Sequence, residues 1–587
     1  MQEGPAGRLE YALDAEGNRI ADFSHAGYRG GGVDLPQVAA VDTVGPGGGD
    51  DTSRIQAAID RVSARAVASS GERGTLFLRS GTYRIDGTLR VAASGVVLRG
   101  AGASQTTLVR PQGSRQPVLI VGDPDAPFAN QQGNTRTDVV TPVVPFGARS
   151  FSVADVSAFR VGDEVVVRHP STQDWLRAVD FGATDSDDPW APGEIDLYFI
   201  RYVTALSGTS MTLDAPIFAQ LDRSLSQSFV YQRKRSHLVR EVGVEDLQIR
   251  IETLGEQPPE ACDGTYAGPY EDHAQDAIRL VGVEDGWVRG VTVRHFARAG
   301  IAVVRSTRVT VAESQALEPH SCVTGERRYN FEANQSQLIL FRDNLATRGR
   351  HSFVGNGASR DNGIVFLRSR SNDALSTSES HRRWGQAFLW DGLVERGSPG
   401  AVRLALHNRG SFGTGHGWAC AGCVAWNTDL GGAKLLLQKP PSSQNYAIGT
   451  HGGTVTNMGS FVHPLGFEEG TGRADLTPVS LYERQLRDRV ATLTPRQEGS
   501  DEPSTMRLRV FPQPARGPMQ VHIEGTVGAV RLDLFDTLGR HVLSLNRATL
   551  PASPLFVDTA ALSAGIYVLR VETDAGQQVT SVVAVSR

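Results

Sequence analysis

Lysine is almost missing from this chain. Of 59 basic residues only Lys234, Lys434 and Lys439 are lysines, so the positive charge is nearly all planar guanidinium, suited to bidentate pairing with carboxylates. Acids outnumber bases, 64 to 59, for a net charge of -5. Without a global basic field, electrostatic wrapping of nucleic acid is not expected. No apolar run approaches the roughly 18 residues of a membrane helix, so no span is expected either. Four cysteines, Cys262, Cys322, Cys420 and Cys423, allow one or two disulfides, and the Cys420-x-x-Cys423 pair has no cysteine or histidine beside it at ordinary zinc spacing. A long amphipathic helical pattern is also lacking, which excludes a helical bundle.

What is present is 64 glycines, 29 prolines and many short β runs. After one short helix over residues 50–64, with apolar Ile55, Ala58, Ile59 and Val62 and the capping-type Asp50-Asp51-Thr52, come runs such as 75–78, 82–85, 96–98 and 107–109. The rhythm returns in 244–249, 277–280, 287–289, 291–293, 301–304 and 309–311. Strands every 8 to 12 residues inside a period of about 22 to 31 predict stacked coils, each burying its inward side chains against its neighbours. We therefore expect an all-β chain, a right-handed parallel β-helix with a small inserted β subdomain and a C-terminal β-sandwich. The expected boundaries are a cap and first coils over 1–147, the insertion over 148–235 and main coils with a groove over 236–493. A linker over 494–505 and the sandwich over 506–587 follow. Residues 479–490 read as a helix covering the last coil. Seven acids between Asp174 and Asp196 lack the spacing of a calcium loop and read as a solvated face.

Two resemblances follow from particular residues. The segment 22–32, Asp-Phe-Ser-His-Ala-Gly-Tyr-Arg-Gly-Gly-Gly, with the helix after it, resembles the N-terminal cap of the pectate-lyase-like superfamily. Glu271-Asp272-His273-Ala274, Arg328-Tyr329-Asn330-Phe331 and Gly349-Arg350-His351-Ser352-Phe353 are similar to one branch of it. In the tail, Val510-Phe511-Pro512-Gln513-Pro514, Leu532-Asp533-Leu534-Phe535-Asp536 and Leu562-Ser563-Ala564-Gly565-Ile566-Tyr567 resemble the C-terminal sorting domain of the type IX secretion system. That resemblance implies export across the outer membrane through residues 506–587, to the cell surface or the medium. The Met1-Gln2-Glu3-Gly4 start then implies a removed signal peptide.

The chemistry expected is concentrated in one stretch. His273, His295, His320, His351, His381 and His407 recur at intervals of 22, 25, 31, 30 and 26 residues, about one coil each, and so predict a column along the solenoid. Arg328, Arg350, Arg383 and Arg409 keep similar spacing. Residues 320–409 hold 13 arginines against 8 acids, a strip suited to an anionic glycan. Arg350, His351, Tyr329, Arg328, His320 and His381 are the catalytic candidates, and Arg350-His351 is expected near the centre of the groove. Asp272, His273, Arg383 and Arg409 are the candidates for substrate binding, with Trp384 and Trp418 as exposed stacking platforms. Such residues fit a lyase on a uronate-containing polysaccharide: a cation neutralises the carboxylate, a base takes the adjacent proton and an acid protonates the leaving oxygen. A glycoside hydrolase and a non-catalytic surface glycan binder are the alternatives. For hydrolysis the carboxylates available are Glu271, Asp272, Glu318 and Glu332. Gly415-His416-Gly417 precedes Asn427-Thr428-Asp429, the reverse of polygalacturonase order, and reads as accidental. The Arg-x-Pro-x-x-Arg segment of calcium-dependent pectate lyases has no counterpart. No metal ligand set is assigned, calcium is the one cofactor left open, and a monomer is expected.

Overall fold

The computed structural model describes residues 2–493 apart from 5–6, 16, 185–188, 256–261 and 263–267, and residues 507–585 apart from 512–514, 516–517, 525–529, 537–539, 548–554 and 574–577. The expected linker 494–505, the acids at 185, 187 and 188 and Pro512-Gln513-Pro514 of the tail motif lie outside the described residues.

Three parallel sheets form the body of the molecule, and their strands follow one another in rotation. Beside the cap helix Thr52–Ser63 lie a thirteen-stranded sheet, which opens with Ala40–Val44 ahead of the helix, an eight-stranded and a ten-stranded sheet. One coil runs Trp287–Arg289, Thr292–Arg294, Ala299–Val304, and the next runs Thr310–Ala312, Gln315–Leu317, Tyr329–Asn334. Corresponding strands pair in parallel. This is a parallel β-helix. Inward positions alternate with outward ones, so Phe331, Ala333 and Phe353 meet inside with Ile301 and Val303 in one apolar core. Aromatic rings stack there from coil to coil, Phe331 on Phe353 at 5.4 Å and Phe341 on Phe366 at 5.1 Å. The corner between the first two sheets takes one left-handed residue per coil, among them Gly290 at φ 64°, Asp343 at φ 57° and Gly392 at φ 64°. Glycine avoids the Cβ clash there, whereas the others accept roughly 1 kcal/mol of strain for the tight corner.

The coils break between Leu119–Gly122 and Val239–Arg240. The insertion is a six-stranded antiparallel sheet with Glu164–His169 and Leu197–Ser207 at its centre. Phe199, Phe218 and Trp175 pack it against Leu338, Val365, Leu389 and Trp384, on the outer face of the thirteen-stranded sheet. The helix at the end of the coils, Leu481–Leu493, does not cover the last coil as expected. It lies on that same outer face, where the Asp391 carboxylate accepts from Ser480 Oγ and Tyr482 N, both at 2.8 Å. The segment at 21–31 holds its other side: Gln485 Oε1 accepts from Phe23 N at 2.8 Å and Tyr482 donates its hydroxyl to Ala26 O at 2.8 Å. An apolar Leu481 and Tyr482 find more to bury there than at a coil end.

The acids between Asp174 and Asp196 are not simply solvated. Asp196 is buried, accepting from Arg168 Nε at 2.8 Å and from Ser171 N at 2.8 Å. Among the described residues no helix is long and apolar enough to cross a membrane. The tail is a separate pair of antiparallel sheets, of three and four strands, around Met519, Val521, Leu534, Leu569 and Val583.

Candidate functional site

The site is built on the outward side of the ten-stranded sheet. Register places Tyr329 opposite His351 on the next coil, and puts Glu332, Val354 and Glu379 in one column over three coils. Because Phe331 and Phe353 point inward, Glu332 and Val354 point out.

Glu379 is the centre. It is 1% exposed, and side chains converge on both of its oxygens. His381 Nδ1 lies 2.7 Å from Oε1, His407 Nε2 lies 3.3 Å from Oε2, and the Thr377 hydroxyl donates to Oε2 at 2.5 Å. Arg409 Nη1 also donates to Oε1. Burial opposes the charge on Glu379, but Arg409 and the imidazoles outweigh it and hold the carboxyl well below the usual range. His381 Nδ1 faces both this carboxylate and Arg409 Nη1, at 2.7 and 2.8 Å; with its proton turned to the carboxylate, the lone pair is on Nε2. His381, His416 and His351 are held neutral. Burial lowers His381 to about 4 and His416 to about 3, and pushes His351 well below its ordinary value.

The rings touch in sequence. Tyr329 and His351 are 5.7 Å apart, His351 and His381 are 4.6 Å apart, and His381 and His416 are 5.1 Å apart. His351 donates Nδ1–H to Thr377 O at 2.6 Å, leaving Nε2 buried without a partner. Tyr329 and His351 are each 1% exposed, so the expected central base sits behind the cluster. His381 and His416 are also buried, at 6% and 7% exposed, and His407 and Arg409 are half-buried. Close by, Arg350 has a buried Nη1 with no partner, and its charge reaches His351, His381 and Tyr329. Donor atoms of His351, Glu379 and His381 lie within 4.8 Å of one another, a spacing that a divalent ion accepts. Here Arg409 Nη1 meets both Glu379 and His381 Nδ1, the latter at 2.8 Å, so the positive charge at that point is a guanidinium.

Other expectations are corrected. The histidines do not form a single column but two groups. His273 and His320 pair at 5.4 Å beside Glu271, which accepts from Arg327 Nε at 2.8 Å and from Cys322 N at 2.8 Å. His320 is tied to Gly255 O at 2.6 Å, and Arg328 donates from Nε to Ser321 O at 2.7 Å. The Cys262–Cys322 disulfide staples this group, while Cys420 and Cys423 are free and buried. Asp272 is exposed. His295 lies 3.5 Å from Glu318. Trp384 and Trp418 are not exposed platforms. Trp384 is wedged between Trp175 and Trp190 of the insertion at 5.7 and 6.3 Å, and Trp418 packs on His463 at 4.7 Å. Arg383 pairs with Glu194, and Arg409 is consumed inside the cluster. His416, read as part of an accidental motif, belongs to the site. Glu379 was missed altogether, although Glu379-x-His381 and His407-x-Arg409 alternate at the two-residue period that puts side chains on one face.

Residues 509–585 match the family described as the secretion system C-terminal sorting domain. The chain is therefore an exported one, secreted or held at the cell surface. No curated protein matches the chain. Among solved structures, the tailspike protein of Pseudomonas phage LKA1 is 12% identical with a TM-score of 0.40 over 91% of each chain. The A-module of a mannuronan C-5 epimerase from Azotobacter vinelandii is 14% identical, with a TM-score of 0.30 over 74% of this chain and 100% of that one. An alginate lyase from Paenibacillus sp. str. FPU-7 is 10% identical, with a TM-score of 0.30 over 74% of this chain and 99% of that one.

Proposed function

We propose that this exported β-helix protein is a polysaccharide lyase cleaving a uronate-containing glycan by β-elimination. The observation that carries the reading is the Glu379–His381 pair, an oriented neutral imidazole, beside an arginine whose guanidinium has an unpartnered donor. Arg350 pairs with the uronate carboxylate and makes the neighbouring C5–H more acidic. His381 Nε2 takes that proton. The electron pair left behind forms the C4=C5 double bond and expels O4 with its sugar. The imidazolium, stabilised by Glu379, returns the proton to O4, so no proton is gained or lost overall. Tyr329 and His351 pack behind His381 and position it.

One observation favours hydrolysis as a second reading. Glu332 and Glu379 lie two coils apart in one column, about 9.6 Å at the usual strand spacing of about 4.8 Å, near the separation of an inverting carboxylate pair. Against it, Glu379 is held ionised and Glu332 is bound by Arg298 at 2.7 Å and Asn356 at 3.0 Å, whereas hydrolysis needs one protonated acid. The test is incubation with a panel of uronic polysaccharides while following the ultraviolet absorbance of the unsaturated product. Absorbance rising with new reducing ends supports elimination. Reducing ends without absorbance mean hydrolysis, and no product from any member of the panel rejects both enzymatic readings.

A further inference from the structure

A second cleft, of about 370 Å³, lies where the insertion meets the turn 356–361. That turn links it to the candidate site: Asn356 donates to Glu332 and accepts from Arg382 on the one side, and Arg360 lines the cleft on the other. The floor is aromatic, with Phe128 and Tyr198 edge to face at 5.7 Å and Phe229 buried beside them. Three guanidinium groups stand over these rings: Arg136 is 3.7 Å from the Phe229 centroid, Arg168 is 5.4 Å from that of Tyr198, and Arg360 is 5.6 Å from that of Phe128.

The charges there are only partly compensated. Arg168 is bound by Asp196, and Arg136 faces an exposed Asp138 at 3.4 Å. Arg360 has no ion pair or side-chain hydrogen bond among the described residues, and its side chain is exposed. Stacking on a ring restricts a guanidinium without using its in-plane donors. The result is an array of oriented forks, already ordered, at the mouth of an aromatic cleft. An apolar ligand would have to desolvate these cations, and a neutral sugar would leave them unanswered. A sugar ring bearing an acid group satisfies both parts of the surface, the ring edge against Phe128 and Tyr198 and the anion in the forks.

We propose that this cleft is a binding subsite for an acidic polysaccharide, in which Arg136, Arg168 and Arg360 take the carboxylate or sulfate groups. It holds the polymer independently of cleavage, so it stands whether or not the lyase reading does. The test uses the full chain carrying His381→Ala, so that polymer is not consumed, titrated at low salt with alginate, dextran sulfate and neutral dextran. The expected result is binding of at least one acidic polymer and none of dextran, with affinity falling about tenfold or more when Arg136→Ala and Arg360→Ala are added, on the scale of one or two lost charge-assisted contacts. Preference for alginate or for dextran sulfate distinguishes carboxylate from sulfate recognition. The proposal is overturned if the arginine variants bind as their parent does with an unchanged Tm, if neither acidic polymer binds, or if dextran binds equally. Failure of the lyase reading would instead appear as no unsaturated product from the chain with His381 in place, with this binding intact.

Discussion

Two buried glutamates on the same stack of coils, Glu271 and Glu379, each bind an arginine and each have histidines beside them. Glu271 spends its oxygens on Arg327 and on the backbone N–H of Cys322, next to the disulfide. Its neighbour His320 is tied to a carbonyl of a nearby loop. That arrangement fastens chain to chain. Glu379 instead receives imidazoles directly, from His381 at 2.7 Å and His407 at 3.3 Å, so that its charge bears on a ring proton. The difference teaches that composition alone does not mark a site. What matters is whether the carboxylate is bound by main chain, which it immobilises, or by a titratable ring, whose proton it directs.

The largest effect that should break the comparison is at Glu379 itself. Glu379→Gln leaves the half-buried Arg409 without its charge partner and removes the group that orients His381. We expect turnover to fall by about three orders of magnitude, the upper part of the range for acid–base catalysis, with a stability loss of about 3–5 kcal/mol in denaturant unfolding, as for a broken buried pair. Stability loss with turnover per folded molecule intact would make the cluster a second staple. Next in size is the disulfide. Cys322→Ser opens a crosslink spanning 60 residues and should cost about 2–4 kcal/mol while turnover per folded molecule stays within about twofold of the parent. A parallel fall in turnover would join the two groups into one site. The smallest effect is the pH profile. His381 must be neutral to act as base, and burial lowers it to about 4, so activity present above that value should be lost as pH falls through it. A profile of kcat/KM flat from about pH 5.5 to 8 is expected. A decline already beginning near 6.5, the ordinary histidine value, would mean that His381 is not held in this environment.

Much of this architecture was legible because coil stacking repeats in sequence. The 22-residue step from Tyr329 to His351 is one coil, and the two residues pair across adjacent strands. Ile55, Ala58, Ile59 and Val62 marked the buried face of the cap helix correctly. Long-range covering was not legible. Trp384 looked available until Trp175 and Trp190, from an insertion about two hundred residues earlier, closed over it. His416 reaches the cluster from a loop outside the strand rhythm, and no spacing rule predicts a loop's return. His320 shared its periodicity with the others, yet its partner is a backbone carbonyl, which sequence does not show.

The most direct measurement is the turnover of His381→Ala beside that of His320→Ala, each per folded molecule on the same uronic polysaccharide with Tm recorded for both. The account predicts a loss of about two orders of magnitude or more for His381→Ala, the scale of a missing general base, and near-parental turnover for His320→Ala. Equal losses, or a greater loss at His320, would contradict the assignment of proton transfer to the Glu379 cluster.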